Sequence, residues 1–244
     1  MAQVINTNVG ALFAGAALNK SAIGLQVAQE RLSSGLRINS SKDDATGLGI
    51  ATGYDKQIRG TNVAIRNASD AISKAQTNDG YAAQIHENLK RLYEIAVQLG
   101  GTASGAESDA LILENTRIRG LTTAAAATTV DGNGTQVTGA SVVIGALASE
   151  GVAGNRTSAN FTADIATVTS RRANYGADMV RFASAVATMQ TESVNLSASF
   201  SRIMDTDYAA ETAAQARNNI LQQAGTAVLA QANQTPSTVL TLLR

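Results

Sequence analysis

Few side chains in this 244-residue sequence could take part in catalysis. His86 is the single histidine and cysteine is absent, which argues against a Ser-His-Asp triad, a thiolate nucleophile and a metal site built on Cys or His. Asp43 with Asp44, and Asp205 with Asp207, could be imagined as carboxylate pairs for general acid–base catalysis. Both pairs stand where helices are predicted to meet connectors, and helix capping explains them better. The sequence therefore predicts no catalytic residues, no metal site and no cofactor.

Two further features have a structural explanation. His86 falls at a heptad position beside Leu89, which predicts a place at the boundary of a helical seam. The pair Gly47-x-Gly49 is too short for a phosphate-binding loop and follows no strand-like run. Neither feature predicts ligand binding.

The composition excludes several classes of partner. Nineteen basic and nineteen acidic residues balance, so nothing favours nucleic acid or an anionic membrane surface as a partner. No run of about 18 apolar residues occurs, which argues against membrane insertion. The first basic residue is Lys20, so the start of the chain makes a poor cleavable signal peptide. Aromatic residues are only 4% of the chain, which favours thin, elongated helical packing over a large spherical core.

Both ends of the chain are unusually poor in charge. Residues 1–29 carry only Lys20, and residues 218–243 carry none. Surface helices normally have one charged face, so the ends are either frayed or are helices buried against something. The second interpretation predicts a buried set of apolar side chains: Ile5, Val9, Leu12, Ile23, Val27, Ile220, Leu221, Val228 and Leu229.

The long segments between the ends have the seven-residue spacing of a coiled-coil seam. One seam consists of Phe161, Val168, Tyr175, Phe182, Met189, Leu196 and Ile203. An earlier seam is rich in alanine and consists of Ala68, Ala75, Ala82, Leu89 and Ala96. Segments at equal distance from the middle of the chain should pair antiparallel, the two seams with each other and the two ends with each other.

The middle of the chain predicts shorter elements. A helix over residues 107–121 would place Leu111, Ile118 and Leu121 on one face. Residues 131–134, Asp-Gly-Asn-Gly between β-forming residues, predict a hairpin within a small β-region over residues 122–156. The predicted fold is therefore mainly α, an elongated antiparallel helical bundle or coiled coil with a small β-hairpin region at its tip.

The polar stretch over residues 30–51 reads as a connector between an inner end and an outer rod. Ser33, Ser34 and Gly35 would end the first helix, and Ser41-x-x-Asp44 resembles a capping box that starts the next. We call this connector, residues 30–51, the spoke. Five of its charged residues are predicted to pair within and between copies of the chain: Arg31, Arg37, Lys42, Asp43 and Asp44. Exposed apolar ends favour association, and head-to-tail contacts that do not close produce a filament.

Long motifs in the chain resemble bacterial flagellin. They are "INTNVGAL" at residues 5–12, "ERLSSGLRINSSKDDATGLGIA" at 30–51, "NLKRLYEIAVQ" at 88–98, and "SRIMDTDYAAE" at 201–211 followed by "NNILQQAGTAVLAQANQTPSTVLTLLR" at 218–244. The resemblance implies an inner D0-like domain of residues 1–45 with 201–244, and an outer D1-like rod of residues 46–200. It also implies a short form without the outer variable domains of most members.

The same resemblance implies a function and partners. The chain would be a secreted subunit that self-assembles into the flagellar filament, the propeller for swimming, after export in an unfolded state by the flagellar type III apparatus. Its partners would be other copies of itself, an export chaperone, and the hook-filament junction and cap proteins.

A second surface follows from the family as well. Arg91, Ile95 and Glu114 match the rod surface that innate immune receptors of the Toll-like type 5 class bind, with Ile95 where leucine is usual. The alternative is that this face packs against a neighbouring subunit.

For the whole chain, the alternative function is a secreted coiled-coil effector or signalling ligand that acts as a monomer. A hydrolase is the third alternative.

Overall fold

The computed structural model describes residues 7–122, 128–130, 136–138, 143–150 and 156–241. These residues form a mainly α-helical protein, as the heptad spacing predicts. The elements are α1 (Val9–Ser34), α2 (Ala45–Gln98), α3 (Ala106–Leu121), β1 (Thr128–Val130), β2 (Gln136–Thr138), α4 (Ser158–Met204) and α5 (Tyr208–Thr241).

The chain divides into two compact units. The terminal unit consists of residues 1–54 and 198–244, and the central unit of residues 55–197. The sequence-based division at residues 45/46 and 200/201 refers to inner and outer layers of an assembly, so it stays a prediction.

The core of the central unit forms along the two predicted seams. The aromatic seam of α4 is buried from Phe161 to Met189, and the alanine seam of α2 is fully buried from Ala68 to Ala96. Ala64, Ala68 and Ala71 cluster with Phe182 and Met189. Alanine at these positions leaves room for the large side chains of α4, which is the packing of knobs into holes.

A second cluster shows that the two seams run in opposite directions. Here residues later in α2 meet residues earlier in α4: Ile85, Leu89, Leu92, Phe161, Val168 and Tyr175. Arg172 Nε donates to Asp79 Oδ1 at 2.8 Å, with the same antiparallel register. Leu196 is half-buried in this unit, and Ile203 is half-buried in the terminal unit, where it packs beside Ile38 and Met204. The predicted antiparallel pairing of the seams is confirmed.

Helix α3 occupies the predicted residues, but the prediction of its apolar face is partly wrong. Ile118 is buried and Leu111 is half-buried, whereas Leu121 is exposed because the helix ends there and the extended Thr122 takes the buried place. Asn115, one turn before Ile118, is also buried, and its Oδ1 accepts a hydrogen bond from Asn88 Nδ2 at 2.8 Å. An amide pair therefore fixes α3 on α2 at a place where the sequence predicts only apolar contact.

The β-structure of the central unit is small. β1 and β2 pair antiparallel, with Thr128 opposite Thr138 and Val130 opposite Gln136. The predicted turn at residues 131–134 lies outside the described residues. The segment 143–150 places Ile144 and Leu147 in the core, and the carboxylate of Asp164 accepts hydrogen bonds from backbone N–H groups of that segment.

The first connector confirms one predicted helix boundary and corrects another. α1 ends at Ser34, and Gly35 follows it in the left-handed conformation with φ of 73°, as glycine allows. The capping box predicted at Ser41 is wrong. Asp44 directly precedes α2, and its Oδ1 accepts a hydrogen bond from Gly47 N at 2.8 Å, so Asp44 is the capping residue.

Candidate self-assembly surface

The two chain ends pair with each other as helices α1 and α5. The residues of α1 that face inward are small: Ala14, Ser21 and Ala28. A Cβ added at Gly24 would lie 2.9 Å from Asn218 Nδ2, and one at Gly225 would lie 3.2 Å from Leu18 Cδ1. Because glycine stands at both positions, the helices can approach closely. The predicted pairing of the two ends is confirmed.

Asn8 holds the beginning of α1 against the later part of α5. Its side-chain oxygen accepts a hydrogen bond from Ala11 N at 3.0 Å, which caps α1. Its amide nitrogen donates to the carbonyl oxygen of Ala232 at 2.8 Å. One side chain therefore both starts α1 and sets its register against α5.

The large apolar side chains of this helix pair lie mostly outside its own contact. Leu12 is 67% exposed and Ile220 is 65% exposed, and more than half of the surface of four other predicted residues is also exposed: Val9, Ile23, Leu221 and Val228. Val27 and Leu229 are half-buried, and Ile5 lies outside the described residues. Within one chain, packing by small residues leaves six of the nine predicted apolar side chains uncovered.

Phe13 belongs to the same surface and was missed by the sequence reasoning. It is 78% exposed, the highest value among the large apolar side chains of α1. It is adjacent to Leu12 in a segment with almost no charge, and that charge-poor context was the available signal.

Arg37 has a different role from the predicted charge pairing. Its Nη2 donates to the carbonyl oxygen of Ile203 at 2.8 Å and to that of Arg202 at 3.3 Å. These carbonyls belong to the last turn of α4, where a cation is favourable. Arg37 N also donates to Met204 O at 2.6 Å. Within the chain, Arg37 therefore caps α4 and makes no ion pair with the described carboxylates of the spoke.

The acidic residues of the spoke bind backbone groups. Asp43 Oδ2 accepts hydrogen bonds from Ser40 N at 3.0 Å and Asn39 N at 3.2 Å, and the Ser40 bond is the main reason why the pKa of Asp43 is lowered. Asp44 caps α2 as described above. Among the described residues, Lys42 is exposed and makes no ion pair. Pairing of these charges with one another inside the chain is therefore not found, and pairing between copies stays a prediction.

Arg31 and Asp207 connect the spoke to α5. Arg31 Nη1 lies 3.8 Å from Glu211 Oε2 in the first turn of α5, where a carboxylate also meets the positive end of the helix dipole. Asp207 Oδ1 accepts a hydrogen bond from Ala209 N at 2.9 Å, which confirms the predicted cap.

The three residues suggested for receptor binding differ in exposure: two are accessible and one is buried. Arg91 is exposed and pairs with Glu107 Oε1 at 2.9 Å and Glu94 Oε2 at 3.2 Å. Glu114 pairs with Arg117, whose hydrogen bond lowers the pKa of Glu114. Ile95 is only 7% exposed and belongs to the core. It lies in the buried cluster that also contains Ile112 of α3 and Phe161 of α4, so it is not part of an accessible surface of this chain.

No arrangement suited to catalysis emerges among the described residues. His86 is half-buried at the edge of the seam, as predicted, and Asp207 caps a helix. No group of three or more potential metal-ligating side chains occurs in the described part of the chain. None of the helices, over the same residues, has an apolar stretch long enough to cross a bilayer.

Comparison with known proteins identifies the family. The model of the bacterial flagellin N-terminal helical region matches residues 5–140, and that of the C-terminal helical region matches residues 159–243. A flagellin of Xenorhabdus nematophila is 36% identical over 314 aligned positions that cover 100% of both chains. One from Halalkalibacterium halodurans is 36% identical over 277 positions, covering 99% of this chain and 100% of its own. A flagellin of Salmonella muenchen is 51% identical over 118 positions, which are 48% of this chain but 23% of that protein. This chain belongs to the bacterial flagellin family.

Proposed function

We propose that this protein is a structural subunit that self-assembles into the bacterial flagellar filament. The observation that carries the proposal is the uncovered apolar surface of α1 and α5, which contains Phe13, Leu12 and Ile220. A monomer in water would expose this surface continuously, and contiguous apolar surface of this kind is typical of an interaction site. Neighbouring copies of the same chain would cover it.

The energetics favour several contacts per subunit. Full burial of a Leu-, Ile- or Phe-sized side chain contributes roughly 1.5–3 kcal/mol, so covering this surface would contribute on the order of 10 kcal/mol. Loss of translational and rotational freedom on association costs about 4–15 kcal/mol. The two quantities are similar, so a single pairwise contact, which covers only part of the surface, would not suffice. Assembly would need several neighbours that together cover the whole surface, as in a helical polymer.

Export and further partners are proposed from membership of the flagellin family, and the uncovered surface supports the first of them. In the cytosol an uncovered α5 would promote aggregation, so we expect an export chaperone to hold it before secretion through the flagellar type III apparatus. Outside the cell, the hook-filament junction and cap proteins are the proposed partners at the two ends of the polymer. The filament would be extracellular, and the subunit would act as a building block and not as an enzyme.

A host Toll-like receptor is proposed as a partner of the central unit through Arg91 and Glu114. Both side chains are accessible on adjacent helices, although each is already paired within the chain. Ile95 is left out because it is buried.

Deletion of residues 220–244 tests the main proposal. We expect the shortened chain to stay soluble, to keep the helical signal of its central unit and to give no sedimentable polymer when seeded with filament fragments. Leu113→Ser is the matched control, because Leu113 is 71% exposed but lies on α3 of the central unit. This variant should polymerise.

Two results would contradict the proposal. Normal filaments from the shortened chain would show that the end of α5 is not needed for assembly. Failure of the unmodified chain to sediment after seeding at high concentration would favour the alternative, a monomeric secreted coiled-coil effector.

A further inference from the structure

The terminal unit presents two apolar faces of different shape. One is a groove of about 630 Å³ between α1 and α5, whose large apolar lining residues are Phe13, Leu18, Leu221 and Val228. The other is a ridge on α1 formed by Val9, Leu12 and Ile23, none of which lines the groove. Both faces lie within the same unit.

The groove exists because its floor is built from small residues. Ala14, Ala17 and Gly24 line it from α1, and Ala224 and Gly225 line it from α5. Large side chains at these positions would fill the space between the two helices. Lys20 is the only charged residue among those that line the groove. The groove is therefore suited to apolar side chains and offers little to a charged ligand.

The ridge lies on the opposite side of α1 from the contact with α5. Leu12 is two residues before the buried Ala14, and Ile23 is two residues after the buried Ser21. Two residues of an α-helix correspond to a rotation of about 200°, so these side chains point away from α5. Contacts among the described residues of the chain leave them exposed.

The two faces also have the same length. The ridge extends from position 9 to position 23 of α1, and the α1 wall of the groove extends from position 10 to position 24. Each therefore measures about 21 Å at 1.5 Å per residue. Val9 and Leu12 lie near one end of this length and Ile23 lies at the other, so the apolar side chains at both ends of the ridge match a groove of this length and chemistry.

We propose that the ridge of one copy docks in the groove of the next copy of this chain. This inference rests on the proposed filament function and specifies the contact that repeats. Because the two faces differ and one chain carries both, the contact is of the head-to-tail type, which can be repeated without closing. A ridge-to-ridge contact would leave the groove unfilled, and its lining would lose packing contacts.

Cysteine cross-linking tests the arrangement without background, because the chain contains no cysteine. Leu12→Cys marks the ridge and Val228→Cys marks the groove. Each variant is polymerised alone and as an equal mixture, and the polymers are treated with a flexible bis-maleimide. We expect covalent dimers from the mixed polymer and none from either variant polymerised alone. The unpolymerised mixture is the control and should give none.

The outcomes separate this inference from the proposed function. Dimers in the polymer of a single variant, or none in the mixed polymer, would overturn the docking of ridge in groove while leaving self-assembly intact. Failure of the cysteine-free chain to sediment would instead overturn the proposed function.

A second measurement applies if either variant does not polymerise alone. Leu12→Cys carrying a maleimide-benzophenone label is mixed as a minor component with unmodified chains and irradiated, and the covalent dimers are mapped by mass spectrometry. We expect adducts at Phe13, Leu221 or Val228 of the neighbour. Adducts confined to Val9, Leu12 and Ile23 would overturn the inference.

Discussion

The two units of this chain use their apolar residues in opposite ways. In the central unit the largest side chains are buried within the chain, with Phe161 and Tyr175 at 0% exposure. In the terminal unit, the helix pair buries only Ala14, Ser21 and Ala28 on α1, while Phe13 and other large side chains remain exposed. The central unit buries a large apolar core within a single chain, although single side chains such as Leu113 and Val180 stay exposed, whereas most large apolar side chains of the terminal helix pair are left for contacts with other copies.

This difference suggests how one chain can be both soluble and able to polymerise. The core of the central unit supplies much of the stability of the monomer, since burial of large side chains is the dominant favourable contribution to folding. The helix pair α1 and α5 keeps its large side chains available for contacts between copies. Substitutions in that core and substitutions on the exposed surface of the helix pair should therefore affect different measurements.

The largest expected effect comes from truncating a core aromatic of the central unit. Phe182→Ala removes a fully buried side chain and should lower the free energy of unfolding of the monomer by about 3–5 kcal/mol. Leu12→Ala in the terminal unit should change it by less than about 0.5 kcal/mol, because Leu12 is mainly exposed. Urea unfolding of the monomer followed by circular dichroism measures both.

The effects of the two substitutions on polymerisation should have the reverse order, with the larger effect from Leu12→Ala. Leu12→Ala is expected to raise the protein concentration needed for seeded assembly. Phe182→Ala should not do so at temperatures where its monomer remains folded. If Leu12→Ala destabilised the monomer as strongly as Phe182→Ala, the contrast between the units would be wrong.

Much of this contrast was predictable from the sequence because it depends on periodicity. Seven-residue spacing located both seams, and the lack of charge marked the two ends. What spacing cannot supply is depth of burial or the choice between two faces of a helix. The resemblance to flagellins assigns Ile95 to an exposed surface, but the side chain lies in the core.

Polar contacts were the least predictable. The Asn88–Asn115 bond joins residues 27 positions apart, and nothing in the local pattern of either helix indicates it. Arg37 was assigned to ion pairs because of its charge, but its partners are the carbonyl oxygens of α4. Such contacts depend on which backbone groups a helix end leaves without partners, and that becomes visible only in three dimensions.

An intermediate effect is expected at two glycines of α2 in the terminal unit. A Cβ added at Gly47 would collide with the carboxylate of Asp44 and lie 2.8 Å from Ile38 Cδ1, whereas one at Gly49 would meet nothing within 4 Å. Gly47→Ala should therefore disturb the cap and destabilise the monomer by about 1–2 kcal/mol. Gly49→Ala should stabilise it by about 0.5–1 kcal/mol, because alanine favours the helix.

Thermal unfolding of the two variants compares them directly, since each adds the same methyl group to the same helix. Opposite shifts of the melting temperature are expected. An increase for both variants would contradict the prediction, because it would show that Asp44 and Ile38 accommodate the added methyl group without loss of the cap.

The smallest expected effect is a pH dependence of the central unit, through His86. Burial, followed by the positive charges of Lys90 and Arg172, lowers the pKa of His86 below its ordinary value of 6.5, and its Nδ1 has no hydrogen-bond partner among the described residues. Below about pH 6.5 the unfolded chain therefore binds a proton that the folded chain resists. The folded state therefore loses no stability through His86 above that pH, and it should lose stability when the pH falls below it.

The urea midpoint of the monomer should decrease between about pH 7.5 and about pH 5.5. The decrease should be smaller in His86→Gln, whose side chain cannot titrate. Carboxylates titrate equally in both proteins, so the difference between the two decreases isolates His86. Equal decreases would show that His86 is as well solvated in the folded chain as in the unfolded one, and that this edge of the seam is open to water.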